Sequence, residues 1–305
     1  MIYRAERSLS FVDWGQPIDW SHPLSLGLRG FWLAGPNPTG FGSLRWRDIS
    51  GYHNHGTLTN MDPATDWVGE APPGGGGSLD IGGGSGYVAL PSAFPPPVLN
   101  DELDAGAITV RFRTTPATSS ARQMLFLYCD KDGLSDFTWF SIGHATSALA
   151  DESIGFQCAG NSSGTLEMYI RQGHDWLADD EWPTATAIVN GSDNQIVVDG
   201  KTYSMHFRNG SASTASFTGD NNDTNWIGRR IFNGSTEDSA LEGTVSCVMV
   251  HDRAMSANEA VSLHRELSQG YPNLLARTSP TTYFAPEQAA PAGTILPLVN
   301  HYQCA

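Results

Sequence analysis

The stretch from Asn194 to Leu267 constrains the fold more than any other part of the chain. It opens with three candidate strands, 195–198, 202–208 and 212–218, separated by Asp199-Gly200 and Asn209-Gly210. Such Asn/Asp-Gly pairs tolerate the positive φ of a tight hairpin turn. A fourth run, TNWIGR (224–229), follows, and GTVSCVMVH (243–251) is β-branched and long enough for a central strand. The chain then reaches Ser256-Ala257-Asn258-Glu259. Ser256 suits a helix N-cap, and Glu259 at the third helical position returns the bond. Ala260, Leu263, His264 and Leu267 recur at helical spacing. Hairpin strands, one long closing strand and one short helix predict the end of a β-sandwich rather than of an α/β enzyme.

Upstream, the same patterning places strands at 26–33, 78–81, 87–90, 108–113, 123–129, 137–142, 153–159 and 166–171. Between 69 and 86 the chain reads GEAPPGGGGSLDIGGGSG. No Lys-Ser/Thr closes this run and no helical pattern follows, so it is read as turns between strands and not as a phosphate cradle. A count of 33 Gly and 18 Pro with only 16% charged residues agrees with a turn-rich all-β chain.

Several ordered segments carry a resemblance. GLRGFWL (27–33), DISGYHNHGTL (48–58), SLDIGGGSGYVALP (78–91), ITVRFR (108–113) and the closing DRAMSANE (252–259) follow one another as in laminin-G-like, concanavalin A-like jelly-roll modules. The resemblance spans about residues 26–267. It implies an all-β, two-sheet antiparallel jelly-roll sandwich with one short C-terminal helix. The expected organisation is an N-terminal arm (1–25), the sandwich (26–270) and an extended C-terminal arm (271–305). This fold carries lectins, adhesins, enzymes and virion proteins alike, so function has to come from sites.

Within the turn at Asp48, the carboxylate is expected to bond the amides that follow it. His53 and His55 form an H-x-H, but no third ligand stands near them in sequence, so His55 is read as part of the turn and not as a zinc ligand. The four cysteines (129, 158, 247 and 304) form no C-x-x-C and suggest no disulfide scaffold; Cys129 and Cys158 fall in candidate strands, where they could be neighbours, and are read as buried thiols. No strand carries the paired carboxylates of a glycoside hydrolase. Asp151-Glu152 and Asp179-Asp180-Glu181 are neighbouring acids in loops, and no nucleophile or H-E-x-x-H motif is present. A non-enzymatic role is therefore expected.

Saccharide sites pair an aromatic platform with amide and carboxylate groups. Two loops have that content, GHDWLADDEWP (173–183) and DNNDTNW (220–226). Trp176, Asp179, Trp182 and Trp226 are the candidate carbohydrate-binding residues. Asp220, Asn222 and Asp223 supply hard oxygen ligands, so calcium is the one cofactor this sequence suggests.

The formal charge is −15, from 17 basic and 32 acidic residues. That argues against binding the phosphates of nucleic acid and against an anionic membrane. No run reaches the length of a membrane-spanning helix, and the N-terminus has no signal-peptide pattern. The expectation is thus a protein made in a host cytoplasm and localised to a virion: a structural component of a tailed bacteriophage, as capsid decoration or tail part. Its partners would be other virion subunits or further copies of itself, met through the arms, with surface glycans as ligands. The alternative is a free bacterial carbohydrate-binding module or adhesin.

Overall fold

The computed structural model describes residues 18–34, 43–69, 72, 77–82, 84–91, 103–114, 123–130, 137–143, 154–159, 164–171, 181–218, 223–232, 235–236, 240–270 and 274–275. The strands in chain order are β1 Leu28–Leu33, β2 Arg45–Trp46, β3 Gly56–Thr59, β4 Trp67–Val68, β5 Ser78–Asp80, β6 Tyr87–Leu90, β7 Gly106–Thr114, β8 Gln123–Cys129, β9 Phe137–Ile142 and β10 Ile154–Ala159. They continue with β11 Leu166–Ile170, β12 Thr184–Val189, β13 Gln195–Val198, β14 Lys201–Thr202, β15 Met205–Asn209, β16 Thr224–Ile227, β17 Ile231–Phe232, β18 Ser235–Thr236 and β19 Gly243–His251. Among the described residues one α-helix, α1 Ala257–Ser268, follows, besides a 3-10 turn at Pro23–Ser25.

Two antiparallel sheets hold all but the small β17–β18 hairpin. One is eight-stranded, in the order β14-β13-β12-β7-β19-β5-β4, with β1 sharing an edge of β19. The other is nine-stranded, in the order β15-β11-β10-β9-β8-β16-β6-β3-β2. The expected two-sheet jelly-roll sandwich is what forms. β19 is its hub, pairing with β7 along its length and with β1 and β5 on its other edge. All but its first residue is buried, as a central strand covered on both faces requires.

Alternation sorts the side chains into layers. Ile108, Val110 and Phe112 of β7 enter the core between the sheets, with Phe126, Phe140, Phe156, Val245 and Val248. The opposite residues of the eight-stranded sheet make a second core. Phe31, Leu33, Ala107, Ile188, Val197, Cys247 and Met249 meet Ala260, Leu263 and Leu267 of α1 there. Burial of Leu263 and Leu267 alone contributes about 3–6 kcal/mol before ordering costs. The capping box forms as read: Ser256 Oγ accepts from the Glu259 amide at 3.2 Å, and the Ser256 amide donates to Glu259 Oε2 at 2.8 Å. Asp199 and Gly200 both take positive φ (50° and 71°) and join β13 to β14 in a two-residue hairpin.

Three strand expectations change. Residues 202–208, read as one strand, divide between β14 and β15, which pair in different sheets. Thr184–Val189 is a strand that the linear reading passed over, and it lies between β7 and β13 with Thr109 and Thr186 hydroxyls 2.9 Å apart. Residues 212–218, read as a strand, are not one. The Ser211 amide donates to Thr214 Oγ1 at 2.8 Å, and only Thr218 makes a bridge, to Leu103. This local side-chain turn competes with a sheet ladder. It delivers Phe217 into the core over Gly106, where a Cβ would stand 2.1 Å from the ring.

Parts of both arms pack on the sandwich itself. Ile18 pairs with Leu275, and Ile18, Leu24, Leu274 and Leu275 are all buried in the second core. The physical reason is that β1 and β19 offer apolar outer residues which the short helix alone does not cover. The remainder of each arm lies outside the described residues. Among the described residues, no helix is long and apolar enough to cross a membrane.

Candidate functional site

Among the described residues, the outer face of the eight-stranded sheet packs against α1, Ile18, Leu24, Leu274 and Leu275, and the face left open belongs to the nine-stranded sheet. One cross-strand row runs across all of it: Arg45, Thr57, Ala89, Trp226, Leu127, Trp139, Gln157, Glu167 and Asn209. Residues in one row share a face. Their burial divides the row in two.

In the middle, Met124, Leu127, Cys129 and Trp139 form a dry cluster. Phe137 stacks on Trp139 at 4.0 Å, and the Arg230 guanidinium lies 3.9 Å from the same ring. Burial, and then Asp223 and Asp130, push the Cys129 thiol up to about 12, so it is no nucleophile at neutral pH. Towards the β2 edge the row opens. Trp226 is partly exposed and leans on Tyr87, with ring centroids 4.3 Å apart and planes 33° from each other. Ala89, next to Trp226 in register, has a small side chain and forms a low floor. Thr57 and Arg45 are exposed beyond it. An aromatic wall, a low floor and hydroxyl and guanidinium groups opposite suit a flat ligand with apolar faces and polar edges.

Of the sequence-derived candidates, Trp182, Asp223 and Trp226 are among the described residues, and Trp182 does not share a face with Trp226. Trp226 lies on this open face. Trp182 instead packs under the Arg113 guanidinium, 5.3 Å from its ring centroid. Arg113 points the same way along β7 as Arg111, whose Nη1 donates to the Leu267 carbonyl of α1 at 2.6 Å. Trp182 therefore belongs to the helix-covered side of the sandwich. Asp223 precedes β16, its amide donating to the Cys129 carbonyl at 3.0 Å and its Oδ1 accepting from Thr224 Oγ1 at 3.0 Å. Trp176, Asp179, Asp220 and Asn222 lie outside the described residues, as do Asp151, Glu152 and Asp180.

His55 Nδ1 accepts from the Asp48 amide at 3.1 Å, and burial followed by the Arg45 charge lowers its pKa. Its Nδ1 lone pair is thus occupied in the turn. His53 stands 5.7 Å from it, ring to ring. Among the described residues no three His, Cys, Asp or Glu side chains are grouped to hold a metal ion. Cys129 and Cys158 are buried, as read, and so is Cys247. Linear reasoning missed Tyr87, Ala89, Thr57 and Arg45. The alternation of Tyr87-Val88-Ala89-Leu90 marks which of them face outward, but only strand register sets them beside Trp226.

A two-sheet antiparallel sandwich with one helix-covered face is a lectin-like fold. Residues 82–261 match the concanavalin A-like lectin/glucanases superfamily, and the chain belongs to it. No curated protein is matched by this sequence. Among solved structures, the binding domain of botulinum neurotoxin DC in complex with SialylT is similar at TM-score 0.50 and 11% identity, over 80% of this chain and 52% of that one. The Trypanosoma rangeli sialidase in complex with sialic acid gives 0.49 and 14%, over 79% and 33%. The Ruminococcus gnavus IT-sialidase CBM40 bound to alpha2,3 sialyllactose gives 0.45 and 13%, over 61% and 96%. At these identities the likeness is one of fold.

Proposed function

We propose that this chain is a non-enzymatic glycan-binding module, with a saccharide lying across the open part of the nine-stranded sheet. The observation that carries the reading is the partly exposed Trp226, stacked against Tyr87 beside the low floor at Ala89. Base-like stacking of a sugar ring needs such a platform, and Thr57 and Arg45 supply hydrogen bonds along its edge. A non-catalytic role agrees with the composition of the row. Its one acid, Glu167, is buried and accepts from Asn209 Nδ2 at 3.0 Å, whereas glycoside hydrolysis needs two facing carboxylates.

Trp226→Ala is expected to reduce binding on a glycan array at least tenfold while costing only about 1–2 kcal/mol of stability, since part of the indole is already in water. Unchanged glycan binding in this variant, measured beside its thermal melt, would overturn the reading.

The setting we propose is the virion of a tailed phage, where the module meets neighbouring subunits through residues outside 18–275. The alternative setting is a free bacterial carbohydrate-binding module or adhesin, favoured by the way 18–25 and 274–275 fold back on their own sandwich. The mass of the native assembly separates the two: a particle or closed oligomer supports the first, a monomer the second. Calcium at Asp220, Asn222 and Asp223 is also proposed. Millimolar calcium should then raise the melting temperature relative to chelator, and Asp223→Ala should abolish the difference. An equal melt with and without calcium removes the site.

A further inference from the structure

Large apolar side chains left exposed are few among the described residues: Trp20 (49%), Leu26 (57%), Leu44 (53%) and Tyr52 (38%). Two of them meet. Trp20 and Tyr52 stand edge to face, centroids 6.5 Å apart and planes 84° from each other. They come from separate segments, Trp20 from the turn before β1 and Tyr52 from the loop between β2 and β3. Both segments are held. The Asp19 amide donates to the Leu274 carbonyl at 3.0 Å, and Asp19 Oδ1 accepts from the Ser21 amide at 2.9 Å. On the other side, Asp48 Oδ1 accepts from the Ser50 amide at 2.8 Å. Arg29 fixes the tyrosine: its Nη1 donates to Tyr52 Oη at 2.7 Å, and its guanidinium carbon lies 5.2 Å from the ring centroid.

The result is a right-angled aromatic corner with a polar rim. Tyr52 Oη accepts from Arg29 and keeps its own proton to donate. Ser21 Oγ donates to Asp19 and keeps its lone pairs to accept. The cations nearby are neutralised, Arg29 by Asp252 and Arg253 by Glu259 at 2.6 Å. Among the described residues, the corner thus offers ring faces and hydrogen bonds while its two arginines are ion-paired. Two rings are also far smaller than the roughly 800 Å² per partner that a stable protein interface buries.

We propose that Trp20, Tyr52 and Arg29 form a second saccharide platform, selective for uncharged pyranose sugars and separate from the sheet face around Trp226. It extends the glycan-binding reading to a second site and is tested apart from the first. Two sites on one module raise avidity for a repetitive glycan without any new contact.

The test is saturation-transfer NMR on the full chain, with cellotetraose, maltotetraose, mannotetraose and N-acetylchitotetraose as probes and 3′-sialyllactose as the charged comparison. At least one neutral tetrasaccharide is expected to bind. Trp20→Ala and Tyr52→Ala should each weaken that binding at least tenfold, with Trp226→Ala leaving it intact. Trp20 is half exposed, so the melting temperature of Trp20→Ala should stay near that of the parent chain. Absence of transfer from all four neutral sugars overturns the proposal, as does transfer indifferent to both substitutions. Binding lost only in Trp226→Ala removes this platform and leaves the sheet-face reading standing. Binding lost in Trp20→Ala and Tyr52→Ala but kept in Trp226→Ala supports this platform and leaves the sheet-face reading to its own glycan-array test.

Discussion

Asp48→Ala is expected to cost roughly 3–6 kcal/mol. The side chain is buried and accepts three backbone amides: Phe31 at 3.0 Å, Ser50 at 2.8 Å and Asn54 at 2.9 Å. Alanine would remove this acceptor from all three amides, at about 1–3 kcal/mol for each that neither water nor another acceptor reaches. The loss also loosens its neighbours, because Trp32 Nε1 donates to the Asn54 carbonyl at 2.8 Å. Asp48 thus ties β1 to the β2–β3 loop, and through that loop one sheet to the other. Urea titration should show the drop in midpoint with little change in slope. Asp48→Asn, which keeps the acceptor facing Phe31 and Ser50, should fall between the two. A cost below about 1 kcal/mol for Asp48→Ala would show that water or a local shift replaces the carboxylate.

The same residue shows what a linear reading can see. Asp48-Ile49-Ser50-Gly51 is a short-range turn, and its hydrogen bonds to Ser50 and Asn54 follow from local chemistry. The capping box at Ser256 and the hairpin at Asp199-Gly200 were legible for the same reason. Residues 212–218 misled because Ala, Ser and Thr suit a strand and a side-chain-bonded turn almost equally, and tertiary contact at Phe217 decides between them. Thr184–Val189 was overlooked because it follows an acidic, tryptophan-bearing segment, although its residues are good strand formers. The candidate site was legible only through Trp226. Its companions lie on β2, β3 and β6, up to about 180 residues earlier, and register alone assembles them. Trp182 looked equivalent in sequence, yet the direction of Arg113 on β7 assigns it to the covered side.

Acidification should weaken the clasp that holds the N-terminal turn on the sandwich, and His251 is the reason. Its side chain is fully buried at the end of β19, Nε2 donating to the Leu24 carbonyl at 2.9 Å while Nδ1 has no partner among the described residues. Burial pushes its pKa down to about 4, against a smaller upward pull from the Leu24 bond; Arg253 opposes charging, and Asp252 and Glu259 favour it. Unfolded, the same imidazole takes up its proton near pH 6.5. Between those values the unfolded chain holds a proton that the native chain refuses. The neutral histidine's contribution is therefore complete above about pH 6.5 and is lost as pH falls towards 4, to a total of about 3 kcal/mol. His55 and His264, also lowered first by burial, act in the same direction. The His251 share is isolated by comparing stability from pH 7 to 4 in the parent chain and in His251→Gln, which retains a donor for Leu24 but cannot charge. The parent chain should lose roughly 3 kcal/mol more than the variant across that range, with amides of 18–26 exchanging first in the acid-weakened protein. Parallel pH curves for the two proteins would mean that the buried imidazole does not control this clasp.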